Sequence, residues 1–316
     1  MKDKFKQAKE LIDASNKILL TMHERMDGDD GGSVLAMLHV LEKLNKQVTA
    51  SIKQGVPESL QFLPKSKNII DDITHEDFDL LITFGCSNIE RTGSEKIKKL
   101  KITTINIDHH PDNSKFGHTN LVDHKKSSVA ELVFDFFNFC NWEIDHQIAT
   151  CLLTGIITDT GSFMYNNTTP STLEAAAELM RKGAQTNKII KETFKGKSPE
   201  VLKAWARAME NSFYDKKNNI IYSVITDEDL NELGDLPKKA FDGVVETLNT
   251  IPEAKFAMFV KQEGEVIKGS LRSDPFKNTD VAQIAKLFGG GGHKLAAGFS
   301  LVGKLKKTLK GKWEIQ

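Results

Sequence analysis

The stretch HERMDGDDGGS, residues 23–33, places one histidine and two aspartates directly after a predicted buried strand. In an extended loop, Asp27 and Asp29 would point the same way, because side chains alternate along such a chain. Together with His23 they form a ligand set suited to Mn²⁺ or Mg²⁺, since these ions bind carboxylates with some imidazole. A solvated loop that caps the following helix is the alternative interpretation.

Two further stretches could add to such a site. NIDHHP, residues 106–111, ends a β-rich run, and adjacent residues of an extended chain face opposite ways. One of its histidines could therefore bind metal while the other faces substrate. LLTGIITDTGSF, residues 152–163, ends a helical run at Asp159. Taken singly, a surface turn before Pro111 and an ordinary helix end would also explain these stretches.

A fourth stretch, residues 270–298, carries groups that could bind an anion. Arg272 can make bidentate contacts to a phosphate or a carboxylate. The four consecutive glycines before His293 could present backbone N–H groups as an anion-binding nest. A flexible glycine turn is the alternative, but it leaves Arg272 and His293 unexplained.

Strand and helix patterns alternate in the first half of the chain, which predicts a parallel sheet with helices on both faces. Ligands bind beyond the carboxyl ends of such strands, and polar clusters follow the predicted strands at 17–22, 79–84 and 103–107. The second half has the pattern of antiparallel strands, with a hairpin turning at Glu263-Gly264. We predict an α/β protein with a mainly parallel N-terminal sheet flanked by helices and a smaller α/β C-terminal domain with a mixed sheet. The predicted segments are 1–190 for the metal-binding domain, 191–215 for a connecting helix or linker, and 216–316 for the substrate-binding domain.

The overall composition restricts the partners. The 316 residues carry 43 basic and 43 acidic side chains, so the net charge is zero. This balance argues against a long basic track for extended nucleic acid, although a local basic pocket is compatible with it. Three cysteines without a CxxC pair favour a reducing cytosol, and no apolar run approaches the roughly 18 residues of a membrane span. We therefore expect a cytoplasmic protein without a membrane partner.

The order of these motifs resembles a known family. His-x3-Asp-x-Asp, a strand-end position at residue 85, Asp-His-His, Gly-x3-Asp and GGGGH follow one another as in the DHH phosphoesterase superfamily. GGGGHKLAAG, residues 289–298, resembles the signature of the DHH-associated C-terminal domain, and the resemblance spans nearly the whole chain. Chain length, domain order and the stretch SSVAELV make the sequence most similar to the bifunctional oligoribonuclease and pAp-phosphatase branch (NrnA-like).

The resemblance implies a metal site in the N-terminal domain. It implies two Mn²⁺ ions, with Mg²⁺ as the alternative. It assigns His23 and Asp27 to one ion, and Asp29, His109 and Asp159 to the other.

The resemblance also implies roles in catalysis and substrate binding. His110 would contact the scissile phosphate and Asp108 would orient His109, so that catalysis falls to His110, Asp108 and Asp29. Substrate binding would fall to Arg91, Arg272, Ser273, Gly290, Gly291, Gly292 and His293.

Gly85 stands where the resemblance implies an aspartate that bridges both ions. Glycine offers no side-chain oxygen, and neither Phe84 nor Cys86 replaces a carboxylate for Mn²⁺, so we expect low activity and partial or no metal occupancy. Met26 replaces the customary proline, and DDGGS, residues 29–33, departs from the small apolar pair that usually precedes Gly-Ser. Two explanations of Gly85 stay open: a deliberate substitution of aspartate that traps substrate, or a natural protein with weakened or altered metal binding.

The implied function is metal-dependent hydrolysis of short oligonucleotides, linear dinucleotides or 3′-phosphoadenosine 5′-phosphate (pAp) by two-metal water activation. The alternatives are a cyclic or linear dinucleotide phosphodiesterase, a type II inorganic pyrophosphatase, and a nucleotide-binding protein without catalysis. We expect no long duplex nucleic acid as partner. The sequence does not decide whether the protein forms a homodimer, whether the substrate is RNA or DNA, or from which end the substrate is cleaved.

Overall fold

The computed structural model describes residues 1–193, 198–237, 240–308 and 313–315. The chain divides into two compact units, Met1–Lys195 and Gly196–Gln316. Most of the segment expected to connect the domains falls in the second unit, and the boundaries at residues 190 and 216 stay predictions. Within the described ranges, no helix combines the length and the apolar character that crossing a lipid bilayer requires.

The elements of each unit are as follows. The first unit has helices α1 (Lys2–Ala14), α2 (Gly28–Lys43), α3 (Glu95–Lys99), α4 (Val129–Phe139), α5 (His146–Asp159), α6 (Pro170–Arg181) and α7 (Thr186–Thr193), and strands β1 (Lys17–Met22), β2 (Gln47–Ala50), β3 (Leu80–Phe84), β4 (Thr103–Asp108) and β5 (Thr119–Val122). The second unit has helices α8 (Pro199–Glu210), α9 (Asp227–Leu233), α10 (Val244–Asn249) and α11 (Val281–Lys286), and strands β6 (Ser212–Asp215), β7 (Ile220–Ile225), β8 (Phe256–Glu263), β9 (Val266–Arg272), β10 (Gly291–His293), β11 (Ala296–Val302), β12 (Leu305–Lys307) and β13 (Trp313–Ile315).

The sheet of the first unit is parallel throughout, in the order β2-β1-β3-β4-β5. Its central strands are apolar and buried, as Leu20, Ile82 and Ile107 show, which is typical of a sheet covered on both faces. Because β1, β3 and β4 are neighbours and run the same way, the loops that follow them leave from the same edge. The predicted parallel sheet is confirmed, and it brings the three polar clusters of the sequence together.

Glycines let helices α2 and α5 approach closely. A Cβ on Gly32 would lie 2.4 Å from the carbonyl oxygen of Cys151, and a Cβ on Gly28 would lie 2.4 Å from Oγ1 of Thr158. Larger residues would therefore push the two helices apart, since protein interiors leave no spare volume. The close contact holds the last turn of α5, which ends at Asp159, beside the first turn of α2.

A buried carboxylate fixes the start of α4. Glu131 accepts hydrogen bonds from the backbone N–H of Ser127 at 3.0 Å, the hydroxyl of Ser127 at 2.6 Å and the ammonium group of Lys126 at 2.9 Å. The hydroxyls of Ser171 and Thr172 donate to it at 2.6 and 2.9 Å. Burial acts to raise the pKa of Glu131, but these donors outweigh burial and lower the pKa to about 2. The turn from which α4 begins is thereby tied to the start of α6.

The second unit contains a mixed sheet in the order β10-β11-β9-β8-β7-β6, and β12 pairs with β13 separately. Strands β8 and β9 form the predicted antiparallel hairpin. The antiparallel expectation is wrong for β7 and β8, which are parallel. The connection between them carries α9 and α10 and is long enough for the crossover that parallel strands require. The predicted mixed sheet is confirmed.

Replacing Glu131 with glutamine is expected to lower the free energy of unfolding of the first unit by about 3 kcal/mol at neutral pH. The pKa of Glu131 is depressed in the folded state, from 4.5 to about 2. Its stabilising contribution is therefore fully present above about pH 4.5 and is lost as the pH falls towards about 2. The stability difference between wild type and Glu131→Gln should shrink over the same range.

Urea denaturation followed by the fluorescence of Trp142 measures this difference, in a protein carrying Trp205→Phe and Trp313→Phe so that the signal reports the first unit. Glu143→Gln is the matched control, because the Glu143 side chain is 81% exposed. A stability difference that stays constant across the pH range would contradict the role given to Glu131.

Candidate metal centre and active site

Two groups of potential metal ligands lie where the loops leave the carboxyl edge of the parallel sheet. Group one consists of His23, Asp27 and Asp30, and group two of Asp29, His109 and Asp159. Within each group, one ligand atom from each side chain lies within 4.8 Å of the others. The structure thus brings together the five side chains predicted from the sequence and adds Asp30.

His23 follows the last residue of β1 and has partners at both ring nitrogens. Its Nδ1 lies 2.7 Å from the carbonyl oxygen of Glu24, and its Nε2 lies 3.1 Å from Oδ2 of Asp27 and 2.9 Å from Oδ2 of Asp30. Burial acts to lower the pKa of His23, but the hydrogen bonds to Asp27 and Asp30 outweigh it and raise the pKa to about 10. A proton is therefore held where an imidazole and two carboxylates converge. A divalent cation would replace that proton, because metal binding requires deprotonated ligands.

Asp27 is the N-cap of α2, and its carboxylate accepts the backbone N–H of Asp30 at 3.0 Å. The helix begins at Gly28, so Asp29 and Asp30 belong to its first turn. The extended loop expected for Asp27 and Asp29 is therefore wrong, and the capping alternative is right for Asp27. The three carboxylates surround a helix N-terminus, where negative charge is favoured.

Asp29 is buried against the start of α4. Its carboxylate oxygens accept the backbone N–H groups of Val129 at 2.7 Å and Ala130 at 2.8 Å. Burial, and after it the charge of Asp159, raises the pKa of Asp29 well above its ordinary range. Two backbone donors do not compensate for this crowding of carboxylates, whereas a cation would.

His109 and Asp159 complete group two. Nε2 of His109 lies 3.7 Å from Oδ2 of Asp159, and Nδ1 of His109 lies 3.2 Å from the carbonyl oxygen of Lys126. The side chain of Asn167 donates to the carbonyl oxygen of Asp159 at 3.1 Å. Burial raises the pKa of Asp159 to about 6. If Nδ1–H of His109 donates a hydrogen bond to this backbone carbonyl, Nε2 is left unprotonated, as metal coordination requires.

Asp108 contacts the ring of His110, whereas the resemblance implies that it orients His109. Its Oδ1 lies 2.6 Å from Nδ1 of His110 and accepts the backbone N–H of His109 at 2.7 Å. Its Oδ2 accepts from Asn113 at 2.6 Å. The predicted orientation of the His109 ring by Asp108 is therefore wrong, because the carbonyl of Lys126 takes that place. The hydrogen bond to Asp108 is the largest influence that raises the pKa of His110.

Gly85 follows β3 with φ of +58°, in the left-handed region that favours glycine. A Cβ at this position would lie 1.7 Å from Oδ2 and 2.2 Å from Cγ of Asp30. The carboxylate of Asp30 thus occupies the space into which a side chain at residue 85 would project. The expectation that Gly85 leaves this place without a carboxylate is wrong, because the carboxylate of Asp30 reaches it from α2.

Sequence reasoning missed Asp30, Asn113 and Asn167. For Asp30 there was a signal, since the stretch DDGGS differs from the pattern of the family at that point. Asn113 and Asn167 lie in loops and gave no signal. Their roles follow from contacts to Asp108 and Asp159 that only the folded chain shows.

Two of the residues expected to bind substrate in the second unit make internal hydrogen bonds. Arg272 donates from Nε to Glu246 at 2.9 Å and from Nη1 to the carbonyl of Leu271 at 2.9 Å. Ser273 is buried, and its hydroxyl donates to the carbonyl of Lys255 at 2.9 Å. The hydroxyl proton of Ser273 is therefore already used.

The glycine run closes α11 and enters a strand. The N–H groups of Gly289 and Gly290 donate to carbonyl oxygens at the end of α11. Gly291, Gly292 and His293 form β10, which pairs with β11, and the His293 side chain is exposed. The expectation that all four glycine N–H groups are available to bind an anion is therefore wrong, because those of Gly289 and Gly290 already donate to carbonyl oxygens of α11.

Arg91 belongs to the first unit. It lies in a 3₁₀ turn after β3, with its side chain exposed and its carbonyl bonded to the N–H of Glu24. Its positive charge acts to lower the pKa of His110. Arg91 is therefore close to the histidine expected to contact phosphate.

Comparison with known proteins agrees with this geometry. The DHH family, N-terminal domain, matches residues 17–156, and the DHHA1 domain matches residues 217–310. The bifunctional oligoribonuclease and PAP phosphatase NrnA of Thermus thermophilus is 29% identical over 290 residues, which cover 90% of this chain and 84% of that protein. An uncharacterized protein of Mycoplasma genitalium is 30% identical over 292 residues, covering 90% of this chain and 87% of that protein.

A solved structure shares the fold. The crystal structure of an exopolyphosphatase-related protein from Bacteroides fragilis matches with a TM-score of 0.84 at 26% identity, over 95% of this chain and 91% of that chain. The resemblance seen in the motifs is confirmed: this chain belongs to the DHH family, carries a C-terminal DHHA1 domain and is similar to NrnA proteins.

Proposed function

We propose that the protein is a metal-dependent phosphoesterase that hydrolyses short oligonucleotides and pAp. The observation that carries the proposal is the pair of ligand groups at one sheet edge, each with two carboxylates and one imidazole. The name of the NrnA relative gives it oligoribonuclease and PAP phosphatase activity, which supports the substrate class.

The carboxylate oxygens and imidazole nitrogens of both groups are ligand atoms that suit hard divalent cations. Carboxylate oxygens with some imidazole suit Mn²⁺, which we propose as the ion, and Mg²⁺ is the alternative. Group one would hold one ion and group two the other. Bound there, the ions would supply charge stabilisation and an activated water for attack on phosphorus.

His110 is the side chain that we propose to contact the scissile phosphate. Because Asp108 accepts from Nδ1, a protonated His110 presents Nε2–H to a phosphate oxygen or to a leaving oxygen. The raised pKa of His110 favours that protonated form. The His110 side chain is 37% exposed while Asp108 is fully buried. The buried carboxylate of Asp108 therefore holds the imidazole in place, and the exposed edge of His110 can donate a hydrogen bond to the substrate.

Gly85 gives no reason to expect low activity in this proposal. Low activity is expected only if no carboxylate lies beside residue 85, and the Asp30 carboxylate lies in that space. We therefore propose an active enzyme. A cytoplasmic location is part of the proposal, supported by the unpaired, buried cysteines Cys86, Cys140 and Cys151.

We propose that the second unit binds the part of the substrate that is not cleaved, through Arg272 and His293. The Arg272 side chain is 33% exposed and pairs with Glu246, which is 36% exposed. An ion pair so open to water is weak. The guanidinium of Arg272 can therefore leave Glu246 and bind a phosphate with little loss of free energy.

Replacing Asp159 with asparagine is expected to lower turnover at least about 100-fold, because group two would lose one of its two carboxylates. The assay is Mn²⁺-dependent release of AMP from pAp and from a 5′-phosphorylated dinucleotide. Asp145→Asn is the matched control, since Asp145 caps the other end of α5, and its turnover should stay near that of wild type.

The same assay decides between an enzyme and a nucleotide-binding protein. A wild-type protein that binds both nucleotides but releases no AMP with Mn²⁺ or Mg²⁺ would contradict the proposed function.

Replacing Arg272 with alanine is expected to weaken binding of pAp by about 1.5–3 kcal/mol, the scale of a hydrogen bond to a charged group. Glu246→Gln is the control, because it removes the present partner of Arg272 and leaves the guanidinium in place. Its affinity should equal or exceed that of wild type in a calorimetric titration with pAp. Unchanged affinity in Arg272→Ala would exclude the binding role of this residue.

A further inference from the structure

We propose that Asp30 is a metal ligand, and that it supplies from helix α2 the carboxylate that a side chain at residue 85 would otherwise supply. The inference rests on the proposed metal-dependent function. It adds a residue that the sequence motifs did not assign, and it explains why residue 85 is glycine.

The carboxylate of Asp30 is buried, and only one of its oxygens contacts a polar partner in the part of the chain that the structure describes. Its side chain is 3% exposed, and Oδ2 lies 2.9 Å from Nε2 of His23. Its Oδ1 is buried and has no hydrogen-bond partner among the described residues. A buried carboxylate oxygen without a partner is strongly unfavourable, since buried charges are paired or coordinate metals. Oδ1 therefore has the property expected of a ligand atom.

The side chain of Asp30 and any side chain at residue 85 exclude one another. The separations of 1.7 Å and 2.2 Å from a Cβ at residue 85 to Asp30 atoms are far below any real contact. One carboxylate can reach this space from α2 or from the end of β3, but the two cannot be present together. With the Asp30 carboxylate in this position, only glycine fits at residue 85.

Asp30 also lies close to both ligand groups. It contacts His23 in group one. It directly follows Asp29 of group two in the first turn of α2. A carboxylate that lies near both groups is suited to a ligand shared by two ions.

This arrangement also bears on the origin of Gly85. A deliberate substitution of one aspartate would empty residue 85 without placing a second aspartate at residue 30. The paired presence of Gly85 and Asp30 favours a natural sequence in which the carboxylate comes from the other element.

Calorimetric titration of the metal-free protein with Mn²⁺, without substrate, tests the inference. Asp30→Asn should weaken binding of at least one ion at least about 100-fold, more than the 10- to 100-fold typical of residues that only support a ligand. Gly85→Asp alone should also weaken binding, because the two side chains would compete for one space.

The double variant Asp30→Ala/Gly85→Asp is the decisive protein. Aspartate is tolerated in the left-handed region better than most residues, so the carboxylate should return from β3 and Mn²⁺ affinity should recover to within about tenfold of wild type. Asp30→Ala/Gly85→Ala is its matched control and should not recover. Circular dichroism and melting without metal check that each variant is folded, and the rise in Tm on adding Mn²⁺ gives a second measure of binding.

Recovery in the aspartate double variant, without recovery in the alanine double variant, would support the inference. Wild-type affinity in Asp30→Asn, or an aspartate double variant no better than its alanine control, would overturn it and leave the proposed function standing. A wild-type protein that binds neither Mn²⁺ nor Mg²⁺ would overturn the proposed function together with this inference.

Discussion

Repulsion among carboxylates held at one sheet edge is the constraint on which the rest of the structure depends. Burial and, after it, the charges of Asp159, Asp30 and Asp27 raise the pKa of Asp29, and the charges of Asp27 and Asp30 add to burial in raising the pKa of Asp159. Such crowding is unfavourable unless donors or cations compensate for it. The N-termini of α2 and α4 supply some of the donors, and His23 supplies a proton. The remaining negative charge is what makes the site suited to divalent cations.

The fold keeps these groups together by means that lie outside the site. Adjacent parallel strands deliver His23, Gly85 and His109 to one edge, and glycines on α2 and α5 let the end of α5 bring Asp159 beside them. Glu131 fixes the turn before α4, whose first amides hold Asp29. Strand ends, the start of α2 and the end of α5 thus position ligands that lie up to 136 positions apart along the chain (159 minus 23).

Much of this arrangement could be predicted from the sequence, because alternating strand and helix patterns imply a parallel sheet and polar residues at strand ends then share an edge. The predicted ligands His23, Asp27, Asp29, His109 and Asp159 all lie there. The features that the sequence did not predict are mostly contacts between side chains that are distant in the chain.

The carboxylate of Asp30 occupies the space of a side chain at residue 85, although the two residues are 55 positions apart in the chain (85 minus 30). This overlap is evident only in the folded structure, where the start of α2 lies against the end of β3. The pairing of Arg272 with Glu246 is also non-local. The preference of Asp108 for the ring of His110 depends on side-chain rotamers, which a motif does not contain.

The central claim is that the two ligand groups, with Asp30 among them, hold divalent cations for phosphoester hydrolysis. Anomalous diffraction from crystals of the wild-type protein grown with Mn²⁺ tests it most directly. The account predicts two manganese peaks, one in each group, with an oxygen of Asp30 at about 2.0–2.6 Å from at least one of them. An absence of manganese at both groups, or ions that leave the Asp30 carboxylate beyond ligand distance, would contradict it.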